Sequence, residues 1–170
     1  ITGGAGFIGS ALAKELNNNS INEILIIDDL SNGEKFTNLK KISFYEFLDI
    51  EDFLNRLNSN VLNKPECIFH QGAITDTTER NGKLMFKYNY TFSIILLNWA
   101  IKNKVPFIYA SSAAIYGLNK TCIENASYEN PINVYGYSKL AFDNYVRRNF
   151  IKSHSQIVGL RYFNVYGYGE

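Results

Sequence analysis

Tyr135 and Lys139 stand four positions apart in the segment Asn133-Val134-Tyr135-Gly136-Tyr137-Ser138-Lys139. On a helix that spacing places both side chains on one face, a turn apart. A phenol with its ordinary pKa of about 10 is a poor base at neutral pH. A neighbouring ammonium favours the phenolate, and a depression of two or three units, about 3–4 kcal/mol, brings it into working range. Such a pair can move a proton on and off a sugar or alcohol hydroxyl. Tyr-x-x-x-Lys also decorates many exposed helix faces, so its meaning depends on what the rest of the chain supplies.

Polar residues at strand ends could serve such a pair. Val105 to Ser111 reads as a strand, and Ser111 and Ser112 follow each other at its end, before Ala113-Ala114-Ile115-Tyr116-Gly117. A serine there can donate to a substrate oxygen while Tyr135 handles the proton; residue chemistry alone does not choose between the two. Asn164, after the strand Ser155 to Tyr162, could hold substrate. Gly72-Ala73-Ile74-Thr75-Asp76-Thr77-Thr78-Glu79 follows the strand Glu66–Gln71. Its small residues permit close approach to a cofactor, and its hydroxyls could address a polyhydroxylated ligand or simply cap the next helix. His70 at that strand end reads as a buried, hydrogen-bonded histidine, with no second histidine nearby to suggest a metal.

Gly3-Gly4-Ala5-Gly6-Phe7-Ile8-Gly9 satisfies G-x-G-x-x-G from Gly4 and G-x-x-G-x-x-G from Gly3. Gly3, Gly6 and Gly9 allow a tight turn and close backbone approach to a pyrophosphate at a helix N-terminus. The apolar spacing Phe7, Ile8, Ala11, Leu12, Leu16 supplies the helix. Glu23-Ile24-Leu25-Ile26-Ile27-Asp28 is a buried parallel strand ending in an acid 19 positions after Gly9, about where a carboxylate meets an adenosine ribose. Asp28 alone favours NAD, because a carboxylate repels a 2′-phosphate. Lys35 in the same loop could neutralise that phosphate, which leaves NADP and NAD both open.

The remaining elements fit around these ends. Ile42–Phe47 reads as a strand, Ile50–Leu57 as a helix with Asp49 near its start, Tyr88 to Lys104 and Tyr137 to Phe150 as helices. Alternation of helices with continuous apolar strands predicts an α/β fold, a doubly wound parallel sheet of Rossmann type, over residues 1–170 as one dinucleotide-binding domain. Ligands in such sheets bind beyond the carboxyl ends of the strands. The charge balance, 17 Lys and Arg against 16 Asp and Glu, gives no field for nucleic acid or an anionic membrane. Cys67, in an apolar run, reads as a core residue; it and Cys122 lack metal-ligand spacing, and a reducing compartment is expected. No apolar run approaches the ~20 residues needed to span a bilayer. The opening at Ile1-Thr2 and the stop at Tyr168-Gly169-Glu170 suggest part of a longer protein, lacking most of the first strand and a C-terminal substrate domain.

The glycine loop, Ser-Ser-Ala-Ala-x-Tyr-Gly, Tyr-x-x-x-Lys and Arg-Tyr-Phe-Asn-Val-Tyr-Gly, in that order, resemble the extended short-chain dehydrogenase/reductases over nearly the whole chain. His70-Gln71-Gly72-Ala73, Thr77-Thr78-Glu79 and Ser155-Gln156-Ile157-Val158-Gly159 point to nucleotide-sugar epimerases that invert C6″ of an ADP-glycero-manno-heptose for the lipopolysaccharide core. That resemblance implies an isomerase of the bacterial cytoplasm, a homo-oligomer at full length, with NADP retained and NAD the alternative. It implies Ser112 and Tyr135 as catalytic, and Lys139 as holding the nicotinamide ribose and tuning the tyrosine. It further implies cofactor contacts from Phe7, Ile8, Asp28, Asp29, Lys35, Gln71, Gly72, Ala73, Ile74, Thr75, Asn89 and Val165, and substrate contacts from Asn164 and Ser112. Ile50 stands where relatives can carry a cofactor-binding lysine, and the relatives' second catalytic lysine falls after residue 170. A UDP-hexose 4-epimerase is the nearest rival. A sugar 4,6-dehydratase is disfavoured because Ala113-Ala114-Ile115 replaces that group's Thr-Asp-Glu. A protein that only senses cofactor could dispense with Tyr135 or Lys139, and both are present.

Overall fold

The computed structural model describes residues 1–150 and 155–167. Tyr168-Gly169-Glu170, at which the chain stops, lie outside the described residues. The chain forms two compact units, Ile1–Gly72 with the stretch from Val165, and Ala73–Asn164.

In the first unit helix α1 (Phe7–Asn18) follows the glycine loop and is succeeded by strand β1 (Leu25–Ile27), a short helix α2 (Phe36–Leu39), strand β2 (Glu46–Leu48), helix α3 (Ile50–Asn58) and strand β3 (Ile68–His70). β1 pairs parallel with β2, Leu25 opposite Glu46 and Ile27 opposite Leu48. Thr2 bridges in parallel to both Ile27 and His70. The spatial order is therefore β2, β1, the Thr2 segment, β3, which places the glycine loop at the carboxyl end of a central strand position. Ile26 and Ile27 point to opposite faces and both are buried, as expected of a parallel strand covered on two sides. Ile24, Ile26 and Ala13 form a core against which Leu16, Leu39, Ile42, Phe44 and Phe47 pack. α3 is capped by Asp49, whose Oδ1 accepts from Glu51 N at 2.8 Å. It buries Phe53 and Leu57 at helical spacing.

In the second unit helix α4 (Gly82–Phe86) passes through a π-helical turn, Lys87–Thr91, into helix α5 (Phe92–Asn103). Strand β4 (Phe107–Ser112), helix α6 (Val134–Phe150) and strand β5 (Ile157–Tyr162) follow. β4 and β5 pair in parallel from Phe107 opposite Ile157 to Ser112 opposite Tyr162. α5 is apolar around its circumference and buries Phe92, Leu96, Leu97, Trp99 and Ala100; each side chain of Leu size contributes about 1.5–3 kcal/mol on burial.

Several boundaries differ from the pattern of the sequence. The strand expected over Ile42–Phe47 is confined to Glu46–Leu48, because Ile42 N closes a turn onto Leu39 O and pairing to β1 begins only near Tyr45. The helix expected over Tyr88 to Lys104 begins at Gly82 and carries the π turn. The last helix begins at Val134 instead of Tyr137, so Tyr135 lies within its first turn. Cys67 is half-buried instead of a core residue, and Cys122 is exposed; both are free thiols. Among the described residues no helix is long and apolar enough to cross a membrane, and no group of three His, Cys, Asp or Glu could hold a metal ion.

Candidate functional site

The first unit builds its candidate site mostly from backbone. Gly3 has φ +67°, and a Cβ there would fall 2.7 Å from Gly72 Cα; a Cβ on Gly9 would fall 2.1 Å from Gly3 O. Glycine is required at both. Gly6 is the N-cap of α1, with no side-chain cap and no acid in the first turn, so no side chain of the helix's own first turn meets the leading N–H groups around Phe7 and Ile8. Asp28 closes the loop from below. Its Oδ2 accepts from Ala5 N at 2.8 Å, and its Oδ1 from Asp29 N at 2.7 Å and Lys35 Nζ at 2.9 Å. Lys35 also donates to Asp29 O at 2.9 Å, so the cation sits on the acid that ends β1. The Asp29 carboxylate, exposed beside them, is held below its usual range by bonds from Ser31. Behind the loop, His70 is buried and its Nδ1 shares a 2.6 Å hydrogen bond with Thr2 Oγ1. Gln71 Oε1 is buried with no hydrogen-bond partner among the described residues, an orphaned acceptor at the end of β3. Val165 is exposed, and Gly167 lies against Phe7. An open helix N-terminus, glycines whose side chains would clash, and an orphaned acceptor are what a dinucleotide needs, so the residues present fit one.

The second unit builds its site from side chains. Asn133 Oδ1 accepts from Gly136 N at 2.8 Å, capping α6 so that Tyr135 and Lys139 share one helical face. Tyr135 is half-buried and Lys139 is 5% exposed. Lys139 Nζ donates to Ala110 O on β4 at 2.9 Å. Burial pushes the Lys139 ammonium down to about 8, and the Asp143 carboxylate one turn further along α6 opposes that drop. The two serines that residue chemistry alone does not separate differ here. Ser111 Oγ donates to Asp143 Oδ2 at 2.9 Å, whereas Ser112 Oγ accepts from Ala114 N at 3.1 Å. The Ser111 hydroxyl hydrogen is thus spent within the protein, and among the described residues no carboxylate takes that of Ser112.

Asn89 is 1% exposed within the π turn. Its Oδ1 accepts from Ile74 N at 2.8 Å, and its Nδ2 donates to Ile74 O at 2.9 Å and Ser138 Oγ at 3.2 Å. Its polar atoms therefore hold the loop Ala73–Thr75 against the residue beside Lys139. In the rest of that loop Asp76 Oδ1 takes both the N–H and the hydroxyl of Thr78 at 2.7 Å, and Glu79 accepts from Asn81 N, so these polar side chains shape the turn before α4. Asn164 is exposed beyond β5.

Sequence reasoning missed the charge network under α6. Asp143 also accepts from Tyr109 Oη at 2.9 Å and Arg161 Nη2 at 3.2 Å. Arg161 donates to Tyr116 Oη at 2.9 Å and pairs with Glu129, which Arg147 pairs with as well. Burial raises the Glu129 carboxyl, and its two arginines more than offset this, leaving it below the usual range. Burial and Asp143 together hold the Tyr109 phenol far above its usual value. The available signal was Asp143 four positions after Lys139 on the same face.

The whole chain, residues 1–170, matches the model of the NAD dependent epimerase/dehydratase family. Among solved structures it is similar to the Helicobacter pylori ADP-L-glycero-D-manno-heptose-6-epimerase, with 35% identity and a TM-score of 0.80, covering 98% of this chain and 55% of that one. It is also similar to the Bacillus cereus UDP-glucuronic acid 4-epimerase in complex with UDP-glucuronic acid and NAD, at 30% identity and TM-score 0.84, covering 98% and 56%. A third is the Thermus thermophilus UDP-glucose 4-epimerase complex with NAD, at 29% identity and TM-score 0.80, covering 98% and 55%. The chain thus spans a little over half the length of these proteins, and its α/β fold of parallel strands is Rossmann-like.

Proposed function

The chain belongs to the NAD dependent epimerase/dehydratase family, an extended short-chain dehydrogenase/reductase group, and on that basis we propose that it supplies the cofactor-binding and proton-transferring part of an epimerase that inverts C6″ of ADP-glycero-manno-heptose. The observation that carries the choice of substrate is the 35% identity, over 98% of the chain, to a heptose 6-epimerase.

When bound, a nicotinamide dinucleotide supplies a reversible acceptor of hydride from the sugar carbon. The chain does the rest. The first turn of α1 and the loop Gly3–Gly9 hold the pyrophosphate, Asp28 and Asp29 address the ribose, and Gln71, Gly72, Val165 and the loop Ala73–Thr75 line the cofactor. Tyr135 takes the proton from the C6″ hydroxyl oxygen and later returns one to it. Lys139 keeps a positive charge beside that proton, with its own stem fixed by the bond to Ala110 O. Ser112 donates to the same substrate oxygen, and Asn164 orients the sugar. With such a cofactor in place, hydride taken from the sugar carbon and given back to the opposite face of the planar ketone would invert the centre with no net redox change.

Lys35 favours NADP: its ammonium, 2.9 Å from Asp28 Oδ1, offsets the charge that would otherwise repel a 2′-phosphate. A second activity, UDP-hexose 4-epimerisation, is favoured by the TM-score of 0.84 to a UDP-glucuronic acid 4-epimerase bound to NAD. Full-length protein given ADP-heptose and UDP-galactose in parallel separates them. Faster epimerisation of the heptose supports the first assignment, and faster turnover of the UDP-sugar replaces it with the second.

A further inference from the structure

We propose that Asp143 is a positioning residue for the reaction: its carboxylate staples α6 to the end of β4, fixing Lys139 in place and charge and, through Ser111, setting Ser112. The role rests on the assignment of proton transfer to Tyr135 and Lys139.

The geometry is a double staple. Tyr135, Lys139 and Asp143 recur at four-residue intervals along one face of α6. Lys139 Nζ binds Ala110 O, while Asp143 binds Tyr109 Oη and Ser111 Oγ, so two consecutive turns of the helix grip three consecutive residues of β4. Ser112 is the next residue. A slide of α6 by one residue, about 1.5 Å, would break all three bonds. Sequence distance between the helix and strand partners is 29 to 34 positions, so these bonds fix tertiary register and not local shape.

Charge gives the second half of the argument. Asp143 is 5% exposed, and a buried carboxylate is tolerable only when its lone pairs are met. Tyr109 and Ser111 face it from β4, Arg161 from β5, and Lys139 and Arg147 from its own helix; α5 meets α6 through the uncharged pair Asn98 and Tyr145. Glu129 sits behind both arginines and binds each. Arg161 is thereby shared between two carboxylates, which leaves the field of Asp143 on Lys139 only partly cancelled. Without that field, burial alone would strip the proton from Lys139 at a lower pH.

The test uses full-length protein carrying lysines labelled at Cε, with the Lys139 signal identified by its loss in Lys139→Arg. In wild type the midpoint should lie well below that of a free lysine, at about 8, because Lys139 is buried. Asp143→Asn lowers the Lys139 midpoint by about one unit, and the alkaline limb of turnover moves down with it. Arg161→Gln, which frees the carboxylate's field, raises the midpoint. Asp143→Glu retains the wild-type midpoint and loses about tenfold in kcat with KM little changed, because its carboxylate is displaced by one methylene. Opposite signs mean that either Asp143→Asn or Arg161→Gln carries the test if the other fails to fold. A Lys139 midpoint that stays put while only thermal stability falls overturns the proposal. Midpoints that move as expected in a protein that turns over neither ADP-heptose nor UDP-galactose uphold the role of Asp143 and overturn the substrate assignment instead.

Discussion

The glycine-loop unit and the Tyr135 unit solve the same problem, placing polar groups at strand ends, with opposite materials. The first uses backbone and the absence of side chains: Gly9 has no room for a Cβ, and α1 starts with no cap of its own. The second uses buried side-chain charge: Lys139 and Asp143 hold α6 on β4 through side-chain bonds. A backbone site is broken by adding atoms, and a side-chain site by removing charge. That contrast orders the tests.

Gly9→Ala should have the largest effect. A methyl 2.1 Å from Gly3 O forces the loop apart, costing about 1–3 kcal/mol of stability and at least a hundredfold in affinity for NADP or NAD, read by calorimetry. Unchanged affinity would mean that the loop does not carry the pyrophosphate.

The second unit should respond to pH instead. The folded-state pKa of Lys139, about 8, lies below its unfolded value near 10.5, so the unfolded chain binds more protons between those limits and stability gains as pH rises across them. Lys139→Met should show none of this gain. Denaturant melts of both proteins at pH 7.5 and 10.5 should diverge by up to about 3 kcal/mol. Parallel curves would place the ammonium in water.

Lys35→Ala gives the smallest expected change. Loss of the cation on Asp28 should turn preference from NADP toward NAD by about tenfold, roughly 1.4 kcal/mol, with total stability almost unaltered because the pair is partly exposed. Titration of each cofactor by fluorescence measures it, and equal loss of both would place Lys35 outside the specificity contact.

Backbone and side-chain sites also differ in how far the sequence discloses them. The glycine spacing and Asp28 sit close together in the chain, and their local logic carries through to the loop observed. α1, α3 and β4 fall near their apolar patterns. α6 starts three residues before the Tyr137 that its apolar pattern predicts, although Asn133 is a good N-cap, because Gly136 and the aromatic run hide the helical period. The π turn at Asn89 follows from its bonds to Ile74 and Ser138, the latter 49 positions away. The Asp143 network depends on β4, β5 and α6 meeting, and no window of sequence contains all three. Residue chemistry alone does not separate Ser111 from Ser112; family resemblance favours Ser112, and the bond from Ser111 to Asp143 supplies the physical difference.

The central claim is that the Tyr135 phenol moves the proton of a sugar hydroxyl. It is tested most directly by Tyr135→Phe in the full-length protein, following interconversion of the ADP-heptose epimers by NMR and the retained nucleotide by mass. The nucleotide should remain and turnover should fall by about 10²–10⁴. Epimers that interconvert as fast in the variant as in wild type would contradict the account.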